Sequence, residues 1–244
     1  MTRGILIAGN ESTLFNAAAA EAVKRVESFA SALIPNRFPL PEGGSVLTPK
    51  TEMAGAIPLS WNPSSPISAR TLVLAAENRL GKINDAIIVC SPPAVFKSAG
   101  NLTPEEIEIL VNDHIRGWFF LIRELTLYFR RRGSGSLSLV APEISDGRDA
   151  AGMNTRGINT LGKNTWNKNT PVDLLGPSAS ASFRAFASGI LASQTNEAFH
   201  IMGFSTTEAG SEGEFAAWLF KIIDEGAGKN SGRWHKYSKL KLFR

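Results

Sequence analysis

Residues 79–90, Arg79-Leu80-Gly81-Lys82-Ile83-Asn84-Asp85-Ala86-Ile87-Ile88-Val89-Cys90, contain the end of one element and the whole of the next. Leu80-Gly81 closes a helix that opens at Ser65-Pro66, where the serine caps the free amides and the proline fits the first turn. Leu72, Leu74 and Ala76 lie along it. Asp85 to Cys90 is then a short apolar run without alternation. A strand that is apolar on both faces belongs inside a parallel sheet covered on both sides.

The same logic extends outward. Gly4-Ile5-Leu6-Ile7-Ala8 is an apolar strand ending at Gly9-Asn10, and Ala17 to Ala32 reads as a helix with Val23, Val26 and Phe29 at helical spacing. Pro35 to Pro66 is rich in Pro, Gly and Ser, with room for one brief strand at Ala56 to Trp61. Thr103-Pro104-Glu105-Glu106 is a capping box opening a long helix through Ile107, Leu110, Val111, Ile115, Phe119, Ile122 and Leu125. That helix stops at Arg130-Arg131-Arg132-Gly133, cations and a glycine where the helix dipole favours them. Ser136 to Val140 is a strand, and from Asp146 to about residue 177 a Gly- and Asn-rich excursion carries little periodicity. Ser178 to Gln194 is a helix of small residues, Phe199 to Phe204 a strand, Glu212 to Glu225 an amphipathic helix, and a basic aromatic strand starts at Arg233. Strands alternating with helices predict a Rossmann-like, doubly wound parallel sheet in three α/β/α layers, one domain over residues 1–244.

Composition narrows the functional classes. With 43% hydrophobic and 20% charged residues in 244, the chain has the balance of a globular protein with a substantial core. Its one cysteine, Cys90, allows no internal disulfide and makes a cysteine-based metal site unavailable, so no metal is expected. No apolar stretch approaches a membrane span and the start carries no secretion-signal pattern, so a cytoplasmic protein is expected. Of 26 Lys and Arg, six lie between Lys229 and Arg244 with no acid among them, leaving 20 against 22 acids elsewhere. The net charge of +4 is thus a property of the C-terminus. It predicts at most an anion-binding tail rather than a nucleic-acid-binding domain.

The order and wording of these segments resemble the short-chain dehydrogenase/reductase family over nearly the whole chain. Residues Arg79 to Val89 resemble the family's passage into its Asn-Asn-Ala-Gly turn. Leu102 to Glu106 and His114 to Phe120 resemble its fourth helix, and Arg131 to Ser136 resembles the loop before the strand that presents a catalytic serine. The resemblance implies a nicotinamide dinucleotide in the cleft and oxidoreductase chemistry by a Ser, Tyr, Lys and Asn tetrad. It also implies a homo-oligomer, dimer or tetramer, joined through the helices at about 104–131 and 178–194.

At the positions that carry this chemistry the sequence departs from the family. The first turn keeps Gly9 but has Thr13 and Phe15 where two further glycines would let the pyrophosphate approach backbone amides. Side chains are therefore expected in the dinucleotide groove, and Glu11 adds a charge that repels phosphate. The positions equivalent to the tetrad hold His114, Pro142 (Ala141 under a one-residue shift), Ser178 and Ser182, and Ser91-Pro92 ends the turn after the fourth strand. Tyr237 and Lys241 have the Tyr-x-x-x-Lys spacing but lie in an alternating terminal stretch, where that spacing does not make neighbours as a helix does.

The expected function is thus a protein of this fold without catalysis, with a binding or structural role and no dinucleotide. The first alternative is an NAD(P)-dependent oxidoreductase with an atypical site, His114 donating the proton and Gly9, Asn10, Ser12 and Ser91 holding the cofactor. The second is an anion-binding protein acting through the basic C-terminus. Trp118, Phe119, Phe120, Tyr128 and Phe129 are expected as core and subunit contact, and a small polar ligand in the cleft is left open.

Overall fold

The computed structural model describes residues 3–25, 28–35, 37–38, 55–142, 173–193, 197–206, 210–225 and 227–238. Seven strands form one parallel sheet in the order β3-β2-β1-β4-β5-β6-β7. They are β1 (Ile5–Asn10), β2 (Phe29–Ile34), β3 (Ala56–Leu59), β4 (Asp85–Val89), β5 (Ser136–Pro142), β6 (His200–Thr206) and β7 (Trp234–Tyr237). Every residue of β1 and β4 is buried, which is why both read as unbroken apolar runs.

Helices α2 (Pro66–Leu80), α4 (Gly117–Arg132) and α5 (Leu175–Ala192) cover one face. Leu72, Trp118, Leu125 and Phe183 pack there against Leu6, Ala86, Ile88 and Leu139. Helices α1 (Thr13–Arg25) and α6 (Glu212–Asp224) cover the other, placing Phe15, Ala19, Phe215 and Phe220 on Ile5, Ile87, Val89 and Phe204. A short helix α7 (Ala227–Asn230) leads into β7. The three α/β/α layers follow the expectation.

Local signals account for most boundaries. The Ser65 hydroxyl accepts from the Ser68 amide at the start of α2. Thr103 and Glu106 form the reciprocal capping box that opens α3 (Pro104–Val111). Gly133 ends α4 in the left-handed conformation, φ 66°, which residues with a Cβ adopt at a cost.

Three expectations are corrected. The helix placed at Ala17 to Ala32 starts at Thr13 and stops at Arg25, and Phe29–Ile34 is β2. Val23, read at helical spacing with Val26 and Phe29, is 44% exposed, and the Ala30-Ser31-Ala32 centre of β2 has too little apolar contrast to show its period. The helix from the capping box is not one uniform α-helix, because Asn112–Arg116 forms a π-helical segment between α3 and α4. Finally, α5 begins at Leu175, inside the range assigned to the excursion. The rest of that excursion, with its asparagines and Trp166, lies outside the described residues.

Candidate functional site

In an open α/β sheet a ligand crevice forms beyond the carboxyl ends of the strands where the strand order reverses, which here lies between β1 and β4. Asn10, the last residue of β1, and His114, from the π segment that follows α3, meet across this point. Asn10 Nδ2 lies 3.1 Å from His114 Nδ1. An amide nitrogen only donates, so the ring nitrogen accepts and the imidazole carries its proton on Nε2. Both residues are buried, and the Phe38 ring stacks on the imidazole with 5.8 Å between centroids. Burial pushes His114 down to about 4, which leaves it neutral at pH 7.

Asp113, the neighbouring residue, is also buried. Its Oδ1 accepts from the Ser64 hydroxyl at 2.7 Å, and Oδ2 pairs in charge with Arg37 Nε at 3.5 Å without hydrogen-bond geometry. Arg37 also donates to Asn62 Oδ1 at 3.1 Å. The π segment thus joins the end of β1 to the chain after β2 and to the turn before α2. Such an extra-residue turn is frequent at functional sites. Here it brings two consecutive titratable side chains inward, while Ile107 and Val111 of α3 face solvent.

The first turn is arranged differently from its expectation. Phe15 does not enter the groove; it is fully buried and packs between α1 and the sheet. A Cβ at Gly9 would stand 2.6 Å from Phe15 Cδ2 and 3.0 Å from Val89 O, so the surviving glycine makes room for the phenylalanine. Ser12 Oγ caps α1 by accepting from the Phe15 amide at 3.1 Å. Thr13, at the first helical position, donates to Glu212 Oε1 at 3.3 Å, and the same carboxylate accepts from the Gly210 amide. A carboxylate from α6 therefore sits at the positive end of α1.

The other candidates do not converge on Asn10 and His114 through any hydrogen bond. Ser178 Oγ donates to Leu174 O at 2.7 Å and Ser182 Oγ to Ser178 O at 2.9 Å, both within the turns of α5. Pro142 closes β5 opposite Thr206 and supplies no hydroxyl. Ser91 follows the buried Cys90 beyond β4 and is half-buried. Two braces hold the segment after β4. Lys97 pairs with the buried Glu106 at 2.7 Å, and together with the Thr103 amide it keeps that carboxyl below the usual range. Asp173 Oδ1 accepts from the amides of Val95, Leu175 and Gly176, and Phe96 forms an antiparallel bridge with Asp173.

Asp113, Arg37, Phe38 and Ser64 were absent from the sequence-based candidates. The available signal was the Asp113-His114 pair on a helix whose other buried positions are mostly apolar. Among the described residues no cluster of three His, Cys, Asp or Glu is placed to hold a metal, and no helix is long and apolar enough to cross a membrane.

No protein-family model and no curated protein matches the chain. Solved structures do. A short-chain dehydrogenase from Bacillus anthracis superposes with a TM-score of 0.68 at 11% identity, covering 99% of this chain and 97% of that one. Serine dehydrogenase from Escherichia coli gives 0.66 at 9% identity over 99% and 100%. An NADH-dependent reductase complexed with NAD gives 0.65 at 13% identity over 99% and 97%. The chain therefore has the Rossmann-like fold of the short-chain dehydrogenases and reductases over nearly its whole length, at 9–13% sequence identity to these three structures.

Proposed function

We propose that this protein uses the dehydrogenase fold without dehydrogenase chemistry, as a binding or structural protein that associates with itself. The observation that carries the reading is the Asn10, His114 and Phe38 contact, which puts the chain's own side chains across the crevice at the strand switch. Two features support it. The α1 terminus that would receive a pyrophosphate has Glu212 against the Thr13 hydroxyl, so an anion beside it meets a carboxylate as well as backbone amides. The hydroxyls of Ser178 and Ser182 are engaged with their own helix, and among the described residues no base is hydrogen-bonded to either. NAD(P) therefore fits these residues poorly, and no step is assigned to it.

Self-association through α4 and α5 is part of the proposal. The exposed positions of α5 include Ala181, Ala185, Ser188, Gly189 and Ala192, small enough for a second helix to approach closely. Sedimentation velocity should give a dimer or larger for the natural chain and a monomer for Ala185→Arg; a monomeric natural chain overturns this part.

The non-catalytic reading is tested by turnover. Purified protein is assayed for NADH and NADPH oxidation against a panel of aldehydes, ketones and keto esters. The expected result is no rate above the protein-free control, and any saturable rate that His114→Ala abolishes would overturn it. The oxidoreductase alternative has one point in its favour: structures of the same fold are dehydrogenases, one of them solved with NAD. Against it, a neutral buried imidazole is a weak proton donor at pH 7.

A further inference from the structure

The geometry points to a proton-coupled turnover of the Asn10 side chain: when His114 gains a proton, the Asn10 amide rotates by half a turn and the end it directs away from the ring changes from acceptor to donor. This holds whether or not a nucleotide binds, and it rests on the hydrogen-bonding inventory of two buried side chains.

Asn10 Nδ2 faces His114 Nδ1 at 3.1 Å, while Asn10 Oδ1 is buried and has no hydrogen-bond partner. An orphaned buried carbonyl costs about 1–3 kcal/mol and calls for an explanation. The amide is matched to the ring as it stands, because a neutral imidazole with its proton on Nε2 accepts at Nδ1. A protonated ring donates from both nitrogens, so Nδ1–H would then face the amide N–H2, donor against donor. Rotating the amide about its last side-chain bond puts Oδ1 on Nδ1–H and removes the conflict. One proton is gained on Nδ1, and no covalent bond is made or broken.

The charged groups around the ring do not compete for this role. Asp113, on the same segment, is held by Ser64 and Arg37. Arg37, from the chain after β2, points its charge at Asp113. Asp173, at the start of α5, accepts from three backbone amides. Glu11, after Asn10, is exposed. Burial alone lowers the proton affinity of the ring, with no charged neighbour contributing. The Phe38 face stacked on the imidazole gives the cation an aromatic surface once it forms. At neutral pH Asn10 thus turns its buried, unpaired carbonyl away from the ring, and in acid it turns its N–H2 that way.

The test is nitrogen NMR of the uniformly labelled full chain. At pH 7 the expected His114 pattern is an unprotonated Nδ1 and a protonated Nε2. A proton on Nδ1 at pH 7 overturns the proposal, because Oδ1 would already face the ring. On acidification the Asn10 amide resonances should move with the same midpoint as the His114 nitrogens; independent midpoints overturn it. Asn10→Asp fixes an acceptor beside Nδ1 and should raise the His114 midpoint by about two pH units, a hundredfold in proton affinity. That brings the titration to a pH at which acid unfolding does not intervene. An unchanged midpoint in folded Asn10→Asp also overturns the proposal, and if this variant does not fold, the pH 7 pattern of the natural chain decides.

Discussion

The two ends of the sheet are built on opposite principles. At the amino ends of the strands a connected set of charges is paired across several elements. Arg3, just before β1, pairs with Asp85 at 2.6 Å and Asp224 at 2.5 Å, and Asp224 also holds Arg25, which holds Glu21 at 2.7 Å. Ser136 completes Asp85 with a hydroxyl at 2.5 Å. This network ties β1, β4 and β5 to α1 and α6, and its partners hold Glu21 below the usual carboxylate range despite its burial. At the carboxyl ends, Asn10, His114 and Asp113 are more deeply buried than Arg3, Arg25 and Asp224 yet incompletely paired, with Asn10 Oδ1 and Asp113 Oδ2 lacking hydrogen bonds among the described residues. A fully satisfied polar network rigidifies and specifies a fold, whereas a buried polar atom left unpaired is costly. The first end reads as scaffold, and the second is where the proposed site lies.

Breaking each region should show the contrast. The largest effect is expected where the first turn has been rebuilt as core: Phe15→Ala removes a fully buried ring and should cost about 4 kcal/mol in denaturant unfolding. An effect under 1 kcal/mol would mean that Phe15 is not the support beneath Gly9. At the amino end, Asp85→Ala removes one of the two carboxylates paired with Arg3 and the acceptor of the Ser136 hydroxyl, and should cost about 2 kcal/mol. A loss no larger than that of a surface ion pair would erase the distinction between the two ends.

At the carboxyl end the effect should depend on pH. The His114 imidazole sits at about 4 in the folded chain against an ordinary value of 6.5. Between these values the unfolded chain binds the extra proton, so stability should be full above about pH 6.5 and fall as pH drops toward 4. The slope amounts to about 3 kcal/mol in all. His114→Leu should remove that slope, and a slope that persists in the variant would assign it to other groups. The smallest effect is expected at the tetrad-equivalent serines. Ser178→Ala and Ser182→Ala should each change stability by less than about 0.5 kcal/mol, since among the described residues both hydroxyls bond only to backbone of the preceding turn. A larger change in either would give that serine a partner beyond α5.

What was legible in the sequence follows from how each signal is encoded. Strands β1 and β4 announce themselves because branched apolar residues occupy both faces, and α2 and α3 because Ser65 and Thr103 cap them chemically. Strand β2 was hidden because its Ala and Ser residues have no contrast between faces. The inward turn of Phe15 was not legible either, since position in a motif says which residue stands there but not which way its side chain goes. The candidate site was half visible. Asn10 and His114 were named for separate reasons, but their meeting depends on the π segment, and an extra residue in a helix leaves no mark in an apolar period. Asp113 and Arg37 are adjacent in space and distant in sequence, and only the fold joins them.

The most direct test of the central claim is calorimetric titration of the full chain with NADH and with NADPH. No binding heat up to millimolar nucleotide is the expected result, with the crevice held by Asn10, His114 and Phe38 and the α1 terminus by Glu212. Saturable one-to-one binding at micromolar nucleotide would contradict it and restore the dehydrogenase reading of this fold.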